Sequence, residues 1–189
     1  MKNKTLWIVE TGVFLALLIV LQWATKPLGT LVTGSVVNFL LVATTISAGI
    51  GSGLAIGVAS PFLAMLWGIV PLPIYIVPVV ALGNAVIVLS YGLILKLARD
   101  RSRGGKLAVW LAAIAAGSLL KFGALYAGVN WLVVPLVTSA TGAPAQAPAA
   151  IFSTQQIITA LIGGVLAMLV VPTVIKAVRR SSTFSQNNL

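Results

Sequence analysis

The sequence of 189 residues contains no cysteine, no histidine and only two acidic residues, Glu10 and Asp100. Thiol catalysis and disulfides need cysteine, most structural zinc sites need cysteine or histidine, and a Ser-His-Asp triad needs an imidazole. Proton transfer by a general base has almost no candidates either. We therefore expect a protein that is not an enzyme, with no catalytic residue, no metal and no cofactor.

Charge is scarce as well, since 7% of the residues are charged and 59% are apolar, with a mean hydropathy of +1.10. Soluble domains carry about 25% charged residues. A chain with so little charge cannot cover its surface for water, which predicts an all-α integral membrane protein. The phosphate-binding pattern Gly-x-x-x-x-Gly-Lys-Ser/Thr does not occur, so we expect no ATP hydrolysis by this chain.

Six stretches approach the roughly 20 apolar residues that a transmembrane helix needs. They lie at about 5–24, 31–48, 50–68, 76–98, 107–134 and 153–176. Turn residues separate them, and the long segment 137–152 is rich in Pro, Ala, Gly and Thr. We predict one six-helix domain over residues 1–178 and a disordered cytoplasmic tail over 179–189.

The first apolar run follows Lys2 and Lys4, as in a signal peptide. The sequence after it, Gln22-Trp23-Ala24, lacks the small residues of a cleavage site, so we interpret the run as a retained first helix.

The basic residues indicate the orientation, because cytoplasmic loops carry an excess of Lys and Arg. With six spans and a cytoplasmic N-terminus, ten of the 12 basic residues fall on the inner side. They are Lys2, Lys4, Lys96, Arg99, Arg101, Arg103, Lys106, Lys176, Arg179 and Arg180. Lys26 lies outside and Lys121 lies within the fifth span. Both termini are then cytoplasmic, and the net charge of +10 reflects topology and anionic lipid, not nucleic acid.

Two ionisable residues lie within apolar stretches, where a charge at mid-helix costs at least ~2.5–3.5 kcal/mol. Glu10 is near the start of the first span, where a carboxylate suits the helix dipole or pairs with Lys4. Lys121 follows Lys106 by ~20 Å of helix and lies in the outer half of the fifth span. It is either a binding residue for an anionic group or a lysine that reaches outward or bonds to backbone carbonyls.

Amide and aromatic side chains occur at the same depth as Lys121, within ~15 Å of the outer surface. Such a group suits a pocket for a small polar ring or a carboxylate. Interfacial Trp and Tyr, interhelical Asn and a helix cap by Gln155 are the alternative interpretations. The predicted substrate-binding residues are Asn38, Trp67, Tyr75, Asn84, Lys121, Tyr126, Asn130, Gln155 and Gln156.

Gly12 and Ala16 form a small-x-x-x-small pattern on the first helix, which permits a partner helix to approach closely. In the third span, Gly49, Gly53 and Gly57 repeat at the same spacing, and there we expect packing within the chain.

Six short helices with both ends inside, and no ATPase motif, resemble a substrate-binding S-component of an energy-coupling-factor transporter. The resemblance covers roughly residues 5–178. The pattern at Gly12 and Ala16 is similar to the family's Ala-x-x-x-Ala motif, with Gly for the first Ala. Residues 21–29 followed by Gly34-Ser35-Val36-Val37-Asn38-Phe39 resemble the start of riboflavin-, pantothenate- and folate-type members.

This resemblance implies a multi-pass protein of a bacterial plasma membrane that captures a vitamin-like small molecule from outside. Its implied partners are a transmembrane T-component, docked at Gly12 and Ala16, and two cytoplasmic ATPases. Substrate would bind between the first outer loop, about 25–35, and the outer parts of helices four to six, with 137–152 as a possible cover. The alternatives are an ion-coupled secondary carrier and a non-catalytic membrane scaffold or channel subunit. Against the carrier, proton coupling normally uses an intramembrane Asp, Glu or His, whereas this chain has no His, Asp100 in a loop and Glu10 near one end of its span.

Overall fold

A computed structural model describes residues 4–69, 74–97, 103–141 and 148–186, and all regular structure in these ranges is helical. The helices are α1 Lys4–Thr25, α2 Thr30–Ser47, α3 Ile50–Leu66, α4 Val77–Leu97, α5 Arg103–Gly128, α6 Val134–Thr141 and α7 Pro148–Gln186. A 3₁₀ turn, Lys26–Leu28, joins α1 to α2, and a π-helical turn, Val129–Val133, joins α5 to α6 without a break. The prediction of an all-α fold is confirmed for these residues.

Five helical segments are long and apolar enough to cross a membrane. They are Lys4–Leu28, Thr30–Ser47, Val77–Leu97, Gly105–Leu136 and Thr154–Ala177. Helix α3 is equally apolar but has 17 residues. The segments coincide with the six predicted spans to within a few residues. By length and composition, the described part of the chain therefore has five helices that could span a membrane and one shorter candidate.

The C-terminal half differs from the sequence prediction in two places. Helix continues from α5 through the π turn to Thr141 and begins again at Pro148, so the segment 137–152 is largely helical. Its centre, 142–147, lies outside the described residues. Helix α7 also continues to Gln186, over most of the segment 179–189 that we expected to be disordered.

Two glycines make the tight turns around α2 possible. Gly29 precedes α2 with φ 89° and Gly49 precedes α3 with φ 105°, both in a region that favours glycine. The hydroxyl of Thr33 donates to the carbonyl of Gly29 and so ties the first turn of α2 to its start. Because both connections are short, α1, α2 and α3 are antiparallel neighbours.

The alternation of helix directions gives the bundle two ends. We call the end where α1 finishes and α2 begins the first end; α3 and α5 finish there and α4 begins there. We call the other the second end. The main apolar core contains Leu18, Leu41, Ile56 and Ile87 and continues toward the second end around Tyr91. The α1 segment is the least buried of the five long apolar segments, and its Leu6, Ile8 and Val13 are exposed on a surface suited to lipid.

Candidate ligand-binding site

Lys121 of α5 lies inside the bundle and is only 2% exposed. Its Nζ donates to Asn38 Oδ1 at 2.6 Å and to Asn84 Oδ1 at 3.0 Å. Both asparagines are also buried, at 1% exposure each. Hydrogen bonds with a charged partner contribute about 1.5–3 kcal/mol each. The interaction therefore joins α5 to α2 and α4 and offsets part of the cost of burying the ammonium group.

Contacts on α2 and α7 fix the orientation of the Asn38 amide. Its Nδ2 donates to the carbonyl of Gly34 at 3.0 Å and to Thr159 Oγ1 at 3.2 Å. The Thr159 hydroxyl in turn donates to the carbonyl of Gln156 at 3.0 Å. With both donors engaged, Oδ1 of Asn38 is left to face Lys121.

A proline in the middle of α3 fixes the Asn84 amide. Proline has no N–H, so Pro61 leaves the carbonyl of Gly57, four residues earlier, without its helical donor. Asn84 Nδ2 donates to that carbonyl at 3.0 Å. The two residues are in close contact, since a Cβ at Gly57 would lie 3.4 Å from Asn84 Cβ. Pro61 and Gly57 thus direct Oδ1 of Asn84 toward Lys121.

The groups that hold Lys121 are neutral, and this decides what the site can bind. An ammonium has three donors, of which the two amide oxygens take two. A carboxylate in place of either amide would neutralise the charge, whereas amides leave it uncompensated. The acidic residue of the described helices is Glu10 on α1. It lies ~18 Å along that helix from Gln22, which lines the same cavity as Lys121. When Lys121 is protonated, one of its donors is left over after the two amide contacts, and an anionic group is suited to accept it.

Lys121 forms part of the wall of a cavity of about 320 Å³ at the first end of the bundle. This volume lies near the lower limit of the ~300–1,000 Å³ that is usual for small-molecule sites. The described lining residues are Gln22, Thr30, Thr33, Gly34, Val37, Asn38, Ser60, Pro61, Ala64, Met65, Val80, Asn84, Lys121, Gln155, Gln156 and Thr159. They carry amides, hydroxyls and one ammonium among aliphatic groups, and no carboxylate, imidazole or thiol that would bind a metal.

Two polar contacts connect the helices around the cavity at the first end. Gln155 Nε2 of α7 donates to Thr30 Oγ1 of α2. Lys26 Nζ donates to the carbonyl of Gly68 at 2.7 Å, which attaches the α1–α2 connection to the residues after α3. Both contacts involve exposed groups, so they separate at lower cost than the buried contacts of Lys121.

Five of the nine predicted binding residues line this cavity: Asn38, Asn84, Lys121, Gln155 and Gln156. The four others are not among the lining residues. Trp67 is 62% exposed, and Tyr75 is also exposed. Tyr126 stacks on Phe122 on the outside of α5, with ring centroids 6.0 Å apart. Asn130 donates to the carbonyl of Tyr126 at 2.8 Å.

The helical periodicity explains why Tyr126 does not reach the cavity that Lys121 lines. Tyr126 follows Lys121 by five positions, which places it ~140° around the helix, and depth alone does not reveal this difference. The predicted docking residues Gly12 and Ala16 lie on the exposed side of α1, and nothing lies within 4 Å of a Cβ at Gly12.

Several lining residues are absent from the predicted set. Gln22 is a polar residue near the outer end of the first span, so the depth criterion that identified Asn38 applies to it equally. Ser60 and Thr159 give a weaker signal, because helical hydroxyls commonly bond to their own backbone. The contact between Asn84 and the carbonyl of Gly57 also has a signal in the sequence. Pro61 lies four residues after Gly57 and has no N–H, so that carbonyl needs another donor.

Comparison of the chain with protein-family models, with curated proteins and with solved structures finds no match. The function is therefore inferred from the chemistry of the cavity and from the sequence resemblance.

Proposed function

We propose that this protein is the substrate-binding subunit of an energy-coupling-factor type transporter and that it binds a vitamin-like small molecule with an acidic group. The observation that carries the proposal is Lys121, a buried ammonium held by two neutral amides in the wall of a cavity. A lysine that served only to join helices would be satisfied as well by a carboxylate partner. Because its partners in this chain are neutral amides, an anionic ligand would neutralise its charge.

The distribution of charge supports access to the cavity from outside the cell. In the proposed topology of six spans with both termini cytoplasmic, ten of the 12 basic residues fall by sequence position on the cytoplasmic side, to which the second end of the bundle then belongs, and positive residues favour the cytoplasm. The cavity and Lys26 are at the opposite, first end. The ligand is then captured at the outer surface of a bacterial plasma membrane, where Lys26 attracts anions.

Helix α1 supports the proposed assembly with a transmembrane T-component and two cytoplasmic ATPases. It packs on the bundle through one side that includes Leu18 and Gln22, whereas Gly12 and Ala16 face outward. A surface of small residues permits a second helix to approach closely within the bilayer. The ATPases supply the hydrolysis for which this chain has no motif.

Native mass spectrometry of the purified chain, with extraction and identification of bound molecules, tests the binding role. We expect one acidic small molecule per chain in the wild type and its loss in Lys121→Met, which preserves side-chain length without charge. Lys106→Met, a change at an exposed lysine, is the matched control and should retain the molecule. A neutral bound molecule, or an acid that remains in Lys121→Met, would contradict the role of Lys121.

Reconstitution distinguishes the transporter subunit from a carrier or scaffold. Uptake of the identified molecule into proteoliposomes should require the T-component and ATP. Uptake by this chain alone under an ion gradient would identify a secondary carrier, and binding of no small molecule would favour a scaffold.

A further inference from the structure

The cavity contains two buried polar atoms that have no hydrogen-bond partner within the described part of the chain, Gln22 Oε1 and Ser60 Oγ. Gln22 is 7% exposed and Ser60 is 1% exposed, and both line the cavity. A buried polar atom without a partner costs about 1–3 kcal/mol. Such atoms in a cavity wall are suited to a ligand that supplies the missing partner.

Ser60 differs from several other buried helical hydroxyls of the bundle. Ser35, Thr44 and Thr45 each donate at 2.7 Å to the carbonyl four residues earlier. Ser60 makes no such bond, so its hydroxyl is available both as donor and as acceptor. Gln22 Oε1 is an acceptor and requires a donor from the ligand. Because both line the same cavity, we treat them as one second polar subsite, contributed by α1 and α3 and not by the α5 helix that carries Lys121.

The rest of the described wall limits the class of ligand further. Its apolar residues are aliphatic, and no aromatic ring is among them to stack on a planar ring system. Lys121 supplies one positive charge, so a monoanion is neutralised, whereas a phosphate ester or a dicarboxylate leaves buried negative charge.

We propose that the ligand is a small, non-aromatic monocarboxylic acid with a hydroxyl or amide N–H group, whose carboxylate binds Lys121 and whose polar group binds Gln22 and Ser60. This inference rests on the proposed function and specifies its substrate class. The carboxylate accepts a hydrogen bond from the third donor of Lys121, which the two amides leave over. The hydroxyl or N–H satisfies Gln22 Oε1, and the aliphatic part of the molecule packs on Val37, Met65 and Val80.

A defined mixture of acids tests the class with the full-length protein in lipid nanodiscs. Pantothenate and biotin are non-aromatic monoacids with hydroxyl or N–H donors, and lipoate is one without them. Nicotinate and 4-aminobenzoate are aromatic acids, and pyridoxal phosphate carries a phosphate. We expect native mass spectrometry to show pantothenate or biotin as the preferred species, with lipoate about tenfold weaker for the loss of one or two hydrogen bonds.

The outcomes separate this inference from the proposed function. Preference for an aromatic acid or for pyridoxal phosphate overturns the substrate class, while the binding role of Lys121 stands. Equal binding of lipoate overturns the role of Gln22 and Ser60. If none of the six binds, both the class and the acid-binding function fail.

Variants locate the second subsite. With the preferred acid, Ser60→Ala and Gln22→Met should each weaken binding by about three- to tenfold. Ser118→Ala is the matched control, because Ser118 is likewise buried without a partner but does not line the cavity. It should bind the acid like the wild type. Unchanged affinity in both Ser60→Ala and Gln22→Met, with thermal unfolding as in the wild type, would overturn the subsite.

Discussion

At the first end of the bundle, Lys121, Asn38 and Asn84 enclose a cavity of about 320 Å³. Toward the second end, the space between α5 and α7 is filled by the ring of Tyr91, which is completely buried. A Cβ at Gly117 would lie 2.7 Å from Tyr91 Cε2, and a Cβ at Gly164 would overlap the Tyr91 hydroxyl. The same helices thus leave a polar space at one end and close around a ring at the other.

The difference shows how one short chain separates binding from stability. In a bilayer, helices associate through close packing and interhelical hydrogen bonds, since burial of apolar groups gives little advantage over lipid. The second end supplies close packing by means of glycine. Each end retains buried polar atoms without a partner among the described residues, Gln22 Oε1 and Ser60 Oγ at the first end and the Tyr91 hydroxyl toward the second, but those at the first end line the cavity. We expect substitutions at the first end to change ligand affinity and those at the second end to change stability.

The largest expected effect is on ligand affinity in Asn38→Asp. The new carboxylate pairs directly with Lys121 and repels the carboxylate of the ligand, and contacts between like charges in an interface cost several kcal/mol. Titration calorimetry with the acid identified by mass spectrometry should show a loss of about 100-fold or more. Asn130→Asp is the control, since Asn130 does not line the cavity. Equal affinities in both variants would mean that the charge of Lys121 does not contribute to ligand binding.

Gly164→Ala should destabilise the second end by about 1–3 kcal/mol, because the added methyl group displaces Tyr91 from a closely packed site. Thermal unfolding in detergent measures the change. In Gly123→Ala the methyl group meets nothing within 4 Å, so this control should stabilise its helix by about 0.5–1 kcal/mol. Ligand affinity in Gly164→Ala should remain near that of the wild type. A large loss of affinity there would show that the two ends are coupled.

Pro61→Ala should lower affinity and raise stability at the same time. Alanine restores the N–H that bonds the carbonyl of Gly57, and this bond competes with the one from Asn84 Nδ2. A looser Asn84 amide should weaken ligand binding by about 0.5–1.5 kcal/mol, the net value of one hydrogen bond. Pro172→Ala removes an exposed proline in α7 and should change stability only. If affinity does not change in Pro61→Ala, Pro61 does not position Asn84.

Gly12→Phe should have the smallest effect on the chain itself, because Gly12 faces outward with open space around it. Unfolding temperature and ligand affinity should match the wild type. Capture of the T-component from membranes that contain the whole transporter should be lost. Gly123→Phe places the same ring at an exposed glycine of α5 and should preserve capture. Retained capture in Gly12→Phe would remove α1 from the proposed docking surface.

The sequence was sufficient to predict the helices but less so the site. Long apolar runs and the Gly and Pro residues between them gave the spans to within a few residues, since helix formation in lipid depends on local composition. Pro, Ala, Gly and Thr at 137–152 indicate a turn, whereas helix covers much of that segment in the structure. Asn38, Asn84 and Lys121 were grouped correctly by depth, although their role in binding stays a prediction.

The position of a helical residue has two coordinates, its depth and the face of the helix on which it lies. The face accounts for the residues that were misplaced or missed. Tyr126 and Lys121 share a depth but not a face of α5. Gln22 has the depth and the face, yet only the packing of α1 against the bundle places it in the cavity wall.

Composition and the length of the apolar runs determined that the chain forms helices long enough to span a membrane and that it has no cysteine, no histidine and only two acidic residues, because these properties depend on which residues are present. Only the tertiary structure decided that Pro61 frees a carbonyl for Asn84, and that two amides hold Lys121. It also brought Gln22 and Ser60 into one cavity without partners. These contacts join residues on different helices, and their geometry follows from how the helices pack.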